Sequence, residues 1–345
     1  MGVSLAQFWG SLLGGLLMYR LFVGVVALLG FVLPVQAQTA ALSTPPAMVS
    51  QLSQDELNAF GVRLANEAYA IMAHIGNPKS QTSGGPHQSN KNAVKNAKAL
   101  FDDAVLIQNA RLNYGLTKAT FQPTYIDHTF VTDMHVNRGA DDVLVLAFNA
   151  REPNRVDLSN ATLMSGEAKP RLVVLRWNDQ KKRWLVMSSS DFDTPKQAVC
   201  TSKPPHPEKK SRFKAADVAL AKKLFEEMQD ASFAGTEKSV QAKGFTYVMA
   251  DGQRKVQDGP VRNRLQHRQT AMNVEAIRSG DLLVFRLDVV SAIAVDGNPH
   301  HKVEKPRLLT MIRGADGKWR MLAIGIFHLP ATLAAGTPCV QPTAN

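Results

Sequence analysis

The chain contains nearly the same two-strand phrase twice, and this repeat restricts the possible folds more than any other feature. The phrase reads KPRLVVLRWNDQKKRWLVMSSSDF at Lys169–Phe192 and KPRLLTMIRGADGKWRMLAIGIF at Lys305–Phe327. In each copy an apolar run leads into a polar turn, and a Trp opens a second apolar run eight residues before the closing Phe. Polar turn residues between two such runs are typical of a β-hairpin. We therefore predict a duplicated unit that ends in a hairpin.

The similarity extends upstream of the hairpins into two further strand patterns in each copy. They lie at His128–Val136 and Gly139–Ala150 in the first copy, and at Thr270–Ile277 and Ser279–Val290 in the second. The second pattern of each copy is a polar turn followed by an apolar run rich in branched residues, and the first pattern is another strand before it. Each copy is therefore predicted to end in an antiparallel meander of four strands.

A helix opens each copy. Apolar residues recur at helical spacing in Asp55–Ile75 and Lys214–Ala234, and Ser53 stands where an N-cap is expected. The first copy has a second helical segment at about 92–101. Short strand patterns follow at Ala104–Ala110 and Phe245–Gly252. Helices followed by a curled antiparallel sheet predict an α+β fold in two tandem domains.

This order of elements resembles the SnoaL-like, nuclear-transport-factor-2-like (NTF2-like) cone-fold superfamily, which includes the ketosteroid isomerases. The first copy carries the resemblance in LFDDAVLIQNARLNYGLTKATF at Leu100–Phe121 and in its hairpin phrase. The second copy carries it in FTYVMADGQRKVQDGPVRNRL at Phe245–Leu265 and in its own hairpin. The resemblance covers nearly all of residues 55–330. It implies two tandem cone-type domains, each with a pocket between the helices and the concave face of the sheet.

Composition predicts the limits of these domains. We place the first domain at 38–192 and the second at 213–335, with a tail at 336–345. The segment between them, 193–212, contains four Pro and no apolar periodicity, which indicates an exposed linker.

The first 37 residues differ from the rest, because Leu5–Leu33 carries a single charge. If translation starts at Met18, a short basic region precedes an apolar run, and residues 35–37 form a small-residue cleavage site. This arrangement is typical of a signal peptide and predicts a periplasmic or secreted chain that begins near Gln38. No stable membrane span is then expected after removal of the signal. The alternative is an uncleaved membrane anchor.

The formal net charge is +11, but no Lys/Arg run with interleaved aromatic residues accompanies it. We interpret this charge as a solvated surface and expect no nucleic-acid partner. The chain also lacks a phosphate-binding glycine loop, a nucleophile elbow and the spacing of a metal site. We therefore expect neither a cofactor nor a metal. The neighbouring His300 and His301 are interpreted as part of a surface loop.

The two cysteines, Cys200 and Cys339, each follow the last strand of one copy. An even number of cysteines in an exported protein favours a disulfide, which would join the two domain ends. The alternative is a pair of free thiols too far apart to meet.

Three carboxylates on predicted strands are candidates for acid–base chemistry: Asp133, Asp288 and Glu275. The resemblance implies this role, since ketosteroid isomerase-like members use an Asp base in an apolar pocket. Alternation in the first of these strands places Asp133 with His135, opposite a face formed by Phe130, Thr132, Met134 and Val136. The simpler interpretation is that the face with Asp133 is turned to solvent and has no catalytic role.

Other polar side chains could also enter a pocket. Tyr125 and Tyr247 could each offer a phenol to a ligand, although a half-buried strand Tyr usually packs with its tip solvated. The last strand of the first copy carries SSSD at 188–191, where the second copy has AIGI at 323–326. The pocket or sheet face of the first copy is therefore predicted to be more polar.

These observations favour a non-enzymatic, exported protein of two fused cone domains that binds a small apolar ligand or a protein partner. The alternative is a cofactor-independent isomerase or hydratase that uses a pocket carboxylate. The sequence lacks a convincing acid–base constellation, which favours the binding protein.

The duplication also predicts how the two copies meet. The runs RLVVLRW and RLLTMI carry apolar residues at successive positions, so both faces of each sheet need a cover. Related cone proteins commonly dimerise through the sheet. We therefore expect the two sheets to pack face to face within one chain, as a monomeric pseudo-dimer.

Overall fold

The computed structural model describes residues 41–73, 91–122, 129–151, 155–157, 162–164, 166–192, 199–201, 212–256, 268–295 and 298–327. The α-helices of these residues are α1 (Pro46–Val49), α2 (Gln54–Ala73), α3 (Lys91–Lys98) and α4 (Ala215–Ala234). A 3-10 helix follows α4 at Glu237–Val240. In this part of the chain no helix combines the length and the apolar character needed to cross a membrane.

The strands fall into two groups, one in each half of the chain. The first group is β1 (Phe101–Asn109), β2 (Phe130–Ala140), β3 (Val143–Arg151), β4 (Arg155–Asp157), β5 (Thr162–Met164), β6 (Ala168–Asn178) and β7 (Arg183–Asp191). The second group is β8 (Val199–Thr201), β9 (Gln241–Met249), β10 (Arg254–Val256), β11 (Gln269–Ser279), β12 (Leu282–Val295), β13 (Asn298–Arg313) and β14 (Trp319–Ile326).

Each half forms one large sheet with the predicted meander, and β4 and β5 pair as a separate two-stranded sheet in the first half. The first sheet has the order β1-β7-β6-β3-β2, and the second has the order β10-β9-β14-β13-β12-β11. The strands β2, β3, β6 and β7 pair antiparallel, as do β11 to β14. The strands β1 and β9 add to these meanders in parallel, next to β7 and β14. The predicted α+β class with two cone-type domains is confirmed.

The helix α2 begins where the sequence predicts, because Ser53 and Glu56 form a capping box. The backbone N–H of Ser53 donates to Glu56 Oε2 at 2.8 Å, and the N–H of Glu56 donates to Ser53 Oγ at 3.4 Å. One face of the helix then buries Leu57, Phe60 and Leu64 against the concave side of the first sheet. Burial of each such side chain is worth about 2 kcal/mol.

The helix α4 takes the same place on the second sheet. It buries Ala221, Leu224 and Phe225 in a core that also contains Phe285 and Leu309. The two domains thus share a layered arrangement of a helix over one face of a sheet.

The other faces of the two sheets pack against each other. Val145 and Val174 of the first sheet share one buried cluster with Val284 and Leu308 of the second. The phenyl rings of Phe192 and Phe327, which close the two repeated phrases, stack with their centroids 4.5 Å apart. The predicted face-to-face packing within one chain is therefore present in the fold.

One glycine allows the last strands of the two domains to approach closely. A Cβ atom added to Gly325 would lie 2.5 Å from Ser190 Oγ, which is shorter than real Cβ contacts allow. Ser190 and Gly325 belong to equivalent strands, β7 and β14, and they meet across the domain contact. A side chain at position 325 would push the two sheets apart.

The predicted alternation in β2 is wrong at its start. Phe130 and Thr132 are exposed, whereas Val131 packs against the core of the first domain together with Met134 and Val136. The cause is a β-bulge, since the pairing register with β3 shifts between Thr132 and His135. An extra residue in one strand moves the following side chains to the opposite face.

The predicted linker also contains structure. Its residues 199–201 form β8, which pairs antiparallel with residues 301–303 in the long β13. The free edge of β13 offers unpaired backbone groups there, and the Val-Cys-Thr segment has high β-propensity. The linker is therefore partly a strand of the second sheet and not an exposed connector throughout.

Candidate functional site

The first domain contains an apolar cavity between α2 and the concave face of its sheet. The cavity has a volume of about 110 Å³. Leu64, Ala68 and Met72 line it from the helix, and Phe148 and Val173 line it from the sheet. No Asp or Glu of the described residues takes part in the lining.

Two lining side chains carry hydroxyl groups. The ring of Tyr69 packs edge-to-face on Phe148, with the centroids 6.4 Å apart. Ser189 of β7 lies at the sheet side of the cavity and is half-buried. Two serines of the run at 188–190 thus face different surroundings. Ser189 lines the cavity, whereas the hydroxyl of Ser188 bonds to Thr310 Oγ1 of the second domain at 2.9 Å. The greater polarity predicted for the first pocket is confined to Ser189 on this strand.

The second domain places a large apolar side chain at the position of Ser189. In the first sheet Val173 pairs with Ser189, and in the second sheet Leu309 pairs with Ile324. Ile324 packs into the core below α4, together with Phe225. Among the described residues, a large apolar side chain thus stands in the second domain at the register where the first domain has a serine beside its cavity.

Asp133 lies on the bulge of β2, away from the cavity. Its φ is 51°, a left-handed conformation that Asp and Asn tolerate better than most residues. Its side chain is 67% exposed, and it accepts a hydrogen bond from Asn149 Nδ2 at 2.7 Å. The guanidinium of Arg254 donates to the backbone carbonyl of Asp133 at 2.5 Å and to that of Ala147 at 3.3 Å.

Asp288 is buried in an ion pair. The Arg286 guanidinium donates to Asp288 Oδ1 at 2.5 Å, and the two side chains are 1% and 4% exposed. Asn273 Nδ2 donates to Asp288 Oδ2 at 2.9 Å. Burial lowers the pKa of Arg286, and the negative charges of Asp288 and Glu275 oppose this effect. Asp288 is therefore a buried acid that is paired with Arg286.

Glu275 lies where the two domains touch. Its carboxylate accepts a hydrogen bond at 2.5 Å from the backbone N–H of Gly115, which follows β1 in the first domain. Asp133, Asp288 and Glu275 are therefore all outside the cavity of the first domain.

The two bulges are equivalent positions of the two domains. Asn273 of β11 has a φ of 50°, close to that of Asp133. The residue before Asn273 is Met272, which pairs with Asp288. The residue before Asp133 is Thr132, which pairs with Asn149. The first domain thus has Asp at the bulge and Asn on the neighbouring strand, whereas the second domain has Asn at the bulge and Asp on the neighbouring strand. The arginine that donates to the bulge carbonyl is Arg286 from within the second domain but Arg254, from the other domain, in the first.

His135 follows the first bulge and is half-buried. Burial lowers the pKa of its imidazole, and the nearby positive charge of Arg254 lowers it further. Both effects favour the uncharged form of the imidazole. Glu275 occupies the equivalent position in the second domain, since it pairs with Arg286 as His135 pairs with Ala147.

A second, larger cleft of about 610 Å³ lies between the domains. Charged side chains of both signs line it, and several of them are paired with each other. Arg278 bonds to the buried Asp217 at 3.3 Å, and Lys118 bonds to Asp103 at 2.7 Å at its edge.

The remaining candidate residues have varied positions. Tyr247 is half-buried and packs against the core of the second domain, beside Ile324 in the neighbouring strand. Tyr125, Cys339 and the segment 1–37 lie outside the described residues, as does the side chain of Cys200. The disulfide and the signal peptide therefore stay predictions. Within the described ranges no group of three or more His, Cys, Asp or Glu side chains is placed to hold a metal ion.

Sequence reasoning missed Tyr69, Arg254 and Arg286. Arg286 had a visible signal, because VFRLDVV places an arginine and an aspartate two residues apart, on one face of an otherwise apolar strand. Arg254 had no such signal, because its partners lie in the other domain.

The fold and the cavity define a two-domain α+β protein of cone type, hollow in its first domain. No family model matches the chain. No curated protein matches it in sequence. An NTF2-like protein with a cystatin-like fold from Novosphingobium aromaticivorans is 17% identical, over 36% of this chain and 90% of that chain, with a TM-score of 0.27.

Two further solved structures are similar to the chain. An NTF2-like superfamily protein from Salmonella enterica is 8% identical over 36% of this chain and 99% of that chain, with a TM-score of 0.26. An NTF2-like protein involved in plasmid conjugation is 9% identical over 78% of this chain and 96% of that chain, with a TM-score of 0.24.

Proposed function

We propose that the protein is a non-enzymatic binding protein whose first domain takes up a small apolar molecule. The observation that carries this proposal is the cavity of about 110 Å³ between α2 and the sheet, lined almost wholly by apolar side chains. Filling an apolar cavity with an apolar ligand lowers the free energy of the complex, because the lining atoms recover missing van der Waals contacts.

The size of the cavity limits the ligand. Apolar cavities of about 150 Å³ in proteins take up benzene. This cavity is smaller, at about 110 Å³, so it suits a short hydrocarbon chain, the apolar end of a longer molecule, or one ring that extends into its open side. Half-buried lining residues such as Ala68, Tyr69 and Val173 give it an open side.

The positions of the carboxylates support binding over catalysis. An isomerase or hydratase of this fold would need an acid or base within reach of the bound molecule. Asp133 is turned to solvent, Asp288 is committed to Arg286, and Glu275 accepts a hydrogen bond from Gly115. Since this fold accommodates both enzymes and binding proteins, the site and not the fold carries the proposal.

Benzene titration with thermal unfolding tests the proposal. Benzene at ten times its dissociation constant should raise the free energy of unfolding by about 1.4 kcal/mol, and the melting temperature should rise with concentration. Ser189→Ile should abolish this rise, because it introduces the side chain that fills the second domain at the same register.

A matched control is Thr132→Ile, which makes a similar polar-to-Ile exchange on an exposed strand position. The control should keep the response to benzene. If wild type shows no response, or if Ser189→Ile responds as wild type does, the cavity is not the binding site.

We further propose that the mature protein works outside the cytoplasm. The single-charge segment Leu5–Leu33 and the small residues at 35–37 support export with cleavage before Gln38. In that compartment a Cys200–Cys339 bond would join the two domain ends. N-terminal sequencing of exported protein and thiol titration under denaturing, non-reducing conditions test the two points. Detection of Met18 at the N-terminus, or of two free thiols, would contradict them.

A further inference from the structure

The cavity of the first domain contains one serine hydroxyl that has no hydrogen-bond partner among the described residues. Ser189 reaches into the cavity, and its side chain neither donates to nor accepts from any of these residues. Its neighbours differ, because Ser188 bonds to Thr310 and Ser190 lies against Gly325 at the domain contact. Ser189 is therefore the member of the serine run that faces the space for a ligand.

An unpaired hydroxyl in an apolar site carries an energetic cost. A serine hydroxyl offers one donor and two acceptor positions, and it loses free energy when these are taken from water and left unused. Ser189 is half-buried and the cavity has an open side, so solvent water can pair with this hydroxyl in the free protein. A purely apolar ligand would displace that water without replacing its hydrogen bond, whereas a ligand that brings its own polar atom would replace it.

The second domain shows that the fold has no structural need for a hydroxyl here. Ile324 stands at the same register and fills the core below α4. In both domains the neighbouring strands supply a paired apolar residue, Val173 or Leu309. The serine therefore leaves space and adds a hydrogen-bonding group at one wall of that space.

From this geometry we infer that the ligand is a small apolar molecule with one hydrogen-bonding oxygen, such as a phenol or a short alcohol, bound against Ser189 Oγ. The inference rests on the proposed function and narrows its ligand class. Ser189 acts as the residue that selects this oxygen, while the apolar lining holds the rest of the molecule.

Isothermal titration of the full chain with benzene and with phenol tests the inference. The measured quantity is the ratio of the benzene dissociation constant to the phenol dissociation constant. One neutral hydrogen bond changes an affinity by about three- to tenfold, so Ser189→Ala should lower this ratio by that factor. Benzene should bind Ser189→Ala about as well as wild type, because its contacts are apolar.

Two variants serve as controls. Ser190→Ala removes a hydroxyl from the next residue of the same strand, at the domain contact, and should leave the ratio unchanged. Ser189→Thr keeps a hydroxyl and should keep a preference for phenol. The unfolding midpoint of each variant is measured to show that the fold is intact.

The outcomes separate the two proposals. If benzene binds and Ser189→Ala leaves the ratio unchanged, or if Ser190→Ala lowers it equally, the role of Ser189 is wrong and the cavity remains a binding site. If neither ligand binds to the wild type, the proposed function fails, and the inference fails with it.

Discussion

The two domains have the same order of helix and strands, yet they differ in how the space below the helix is used. In the first domain Ser189 and the small side chain of Ala68 leave a cavity of about 110 Å³. In the second domain Ile324 and Phe225 occupy the corresponding core. In the described residues, one copy thus has a cavity below its helix, whereas the other has large apolar side chains at the same register. The difference teaches that duplicated domains can keep one architecture while they differ in the packing below the helix.

A second difference concerns the bulges of β2 and β11. In the second domain the arginine that donates to the bulge carbonyl is Arg286 of the same domain, and both Arg286 and Asp288 are buried. The first domain has Asn149 at the position of Asp288, and its bulge carbonyl accepts a hydrogen bond from Arg254 of the second domain. The charge at the first bulge is also more exposed, since 67% of the Asp133 side chain contacts solvent. The first bulge therefore depends on the domain contact, and the second depends on a buried ion pair.

The largest effect is expected from breaking that buried pair. Asp288→Ala leaves the guanidinium of Arg286 buried and without its closest partner, which costs about 3–5 kcal/mol of unfolding free energy. Asn149→Ala, at the equivalent position of the first domain, should cost only about 1 kcal/mol, because it removes a hydrogen bond to an exposed carboxylate. Urea unfolding followed by circular dichroism measures both.

A double variant sharpens this result. Arg286→Met combined with Asp288→Leu removes both charges and should cost less than Asp288→Ala alone. Equal costs for Asp288→Ala and Asn149→Ala would show that the two bulges are not energetically different.

Exchanging the residues at the cavity position should give unequal effects in the two domains. Ile324→Ser opens a gap and places a hydroxyl in the second core, so it should cost about 3 kcal/mol. Ser189→Ile fills existing space and should change stability by less than about 1 kcal/mol. Both values come from urea unfolding midpoints. A large loss of stability for Ser189→Ile would mean that its cavity cannot accept a side chain.

The contact between the domains should be sensitive at its closest approach. Gly325→Val places side-chain atoms where Ser190 Oγ lies, and the repacking should cost about 1–3 kcal/mol. Combining it with Ser190→Gly should recover part of the loss, because it removes the atoms that would clash. The melting temperatures of the single and double variants measure this coupling, and full additivity would contradict a direct contact.

The smallest expected effect is a pH dependence from His135. Burial, followed by the charge of Arg254, lowers the pKa of His135 in the folded state below its ordinary value of 6.5. The unfolded chain therefore binds a proton before the folded one as the pH falls, so stability decreases from about pH 6.5 down to the lowered pKa. His135→Gln should remove this slope, as seen in unfolding midpoints across that range. A slope that persists in the variant would assign it to other groups.

The sequence predicted the elements that depend on neighbouring residues. The N-cap at Ser53, the two hairpin phrases and the apolar face of α2 were all visible, because each depends on contacts a few positions apart. The bulge at Asp133 was missed, because alternation alone does not show where a strand gains an extra residue. The three candidate carboxylates were read from strand patterns, which say nothing of what lies opposite a side chain.

By itself, then, the sequence determined two α+β units with four-stranded meanders, and it indicated that both faces of each sheet would be covered. The tertiary structure alone decided which serine faces the cavity and which arginine donates a hydrogen bond to the carbonyl of each bulge. Ser188 and Thr310 are 122 positions apart, and Arg254 and Asp133 are 121 positions apart. Such pairs meet only when the register of several strands and the docking of two sheets are both fixed. Helical and strand periodicity specify the faces of an element, whereas they do not specify what each face will meet.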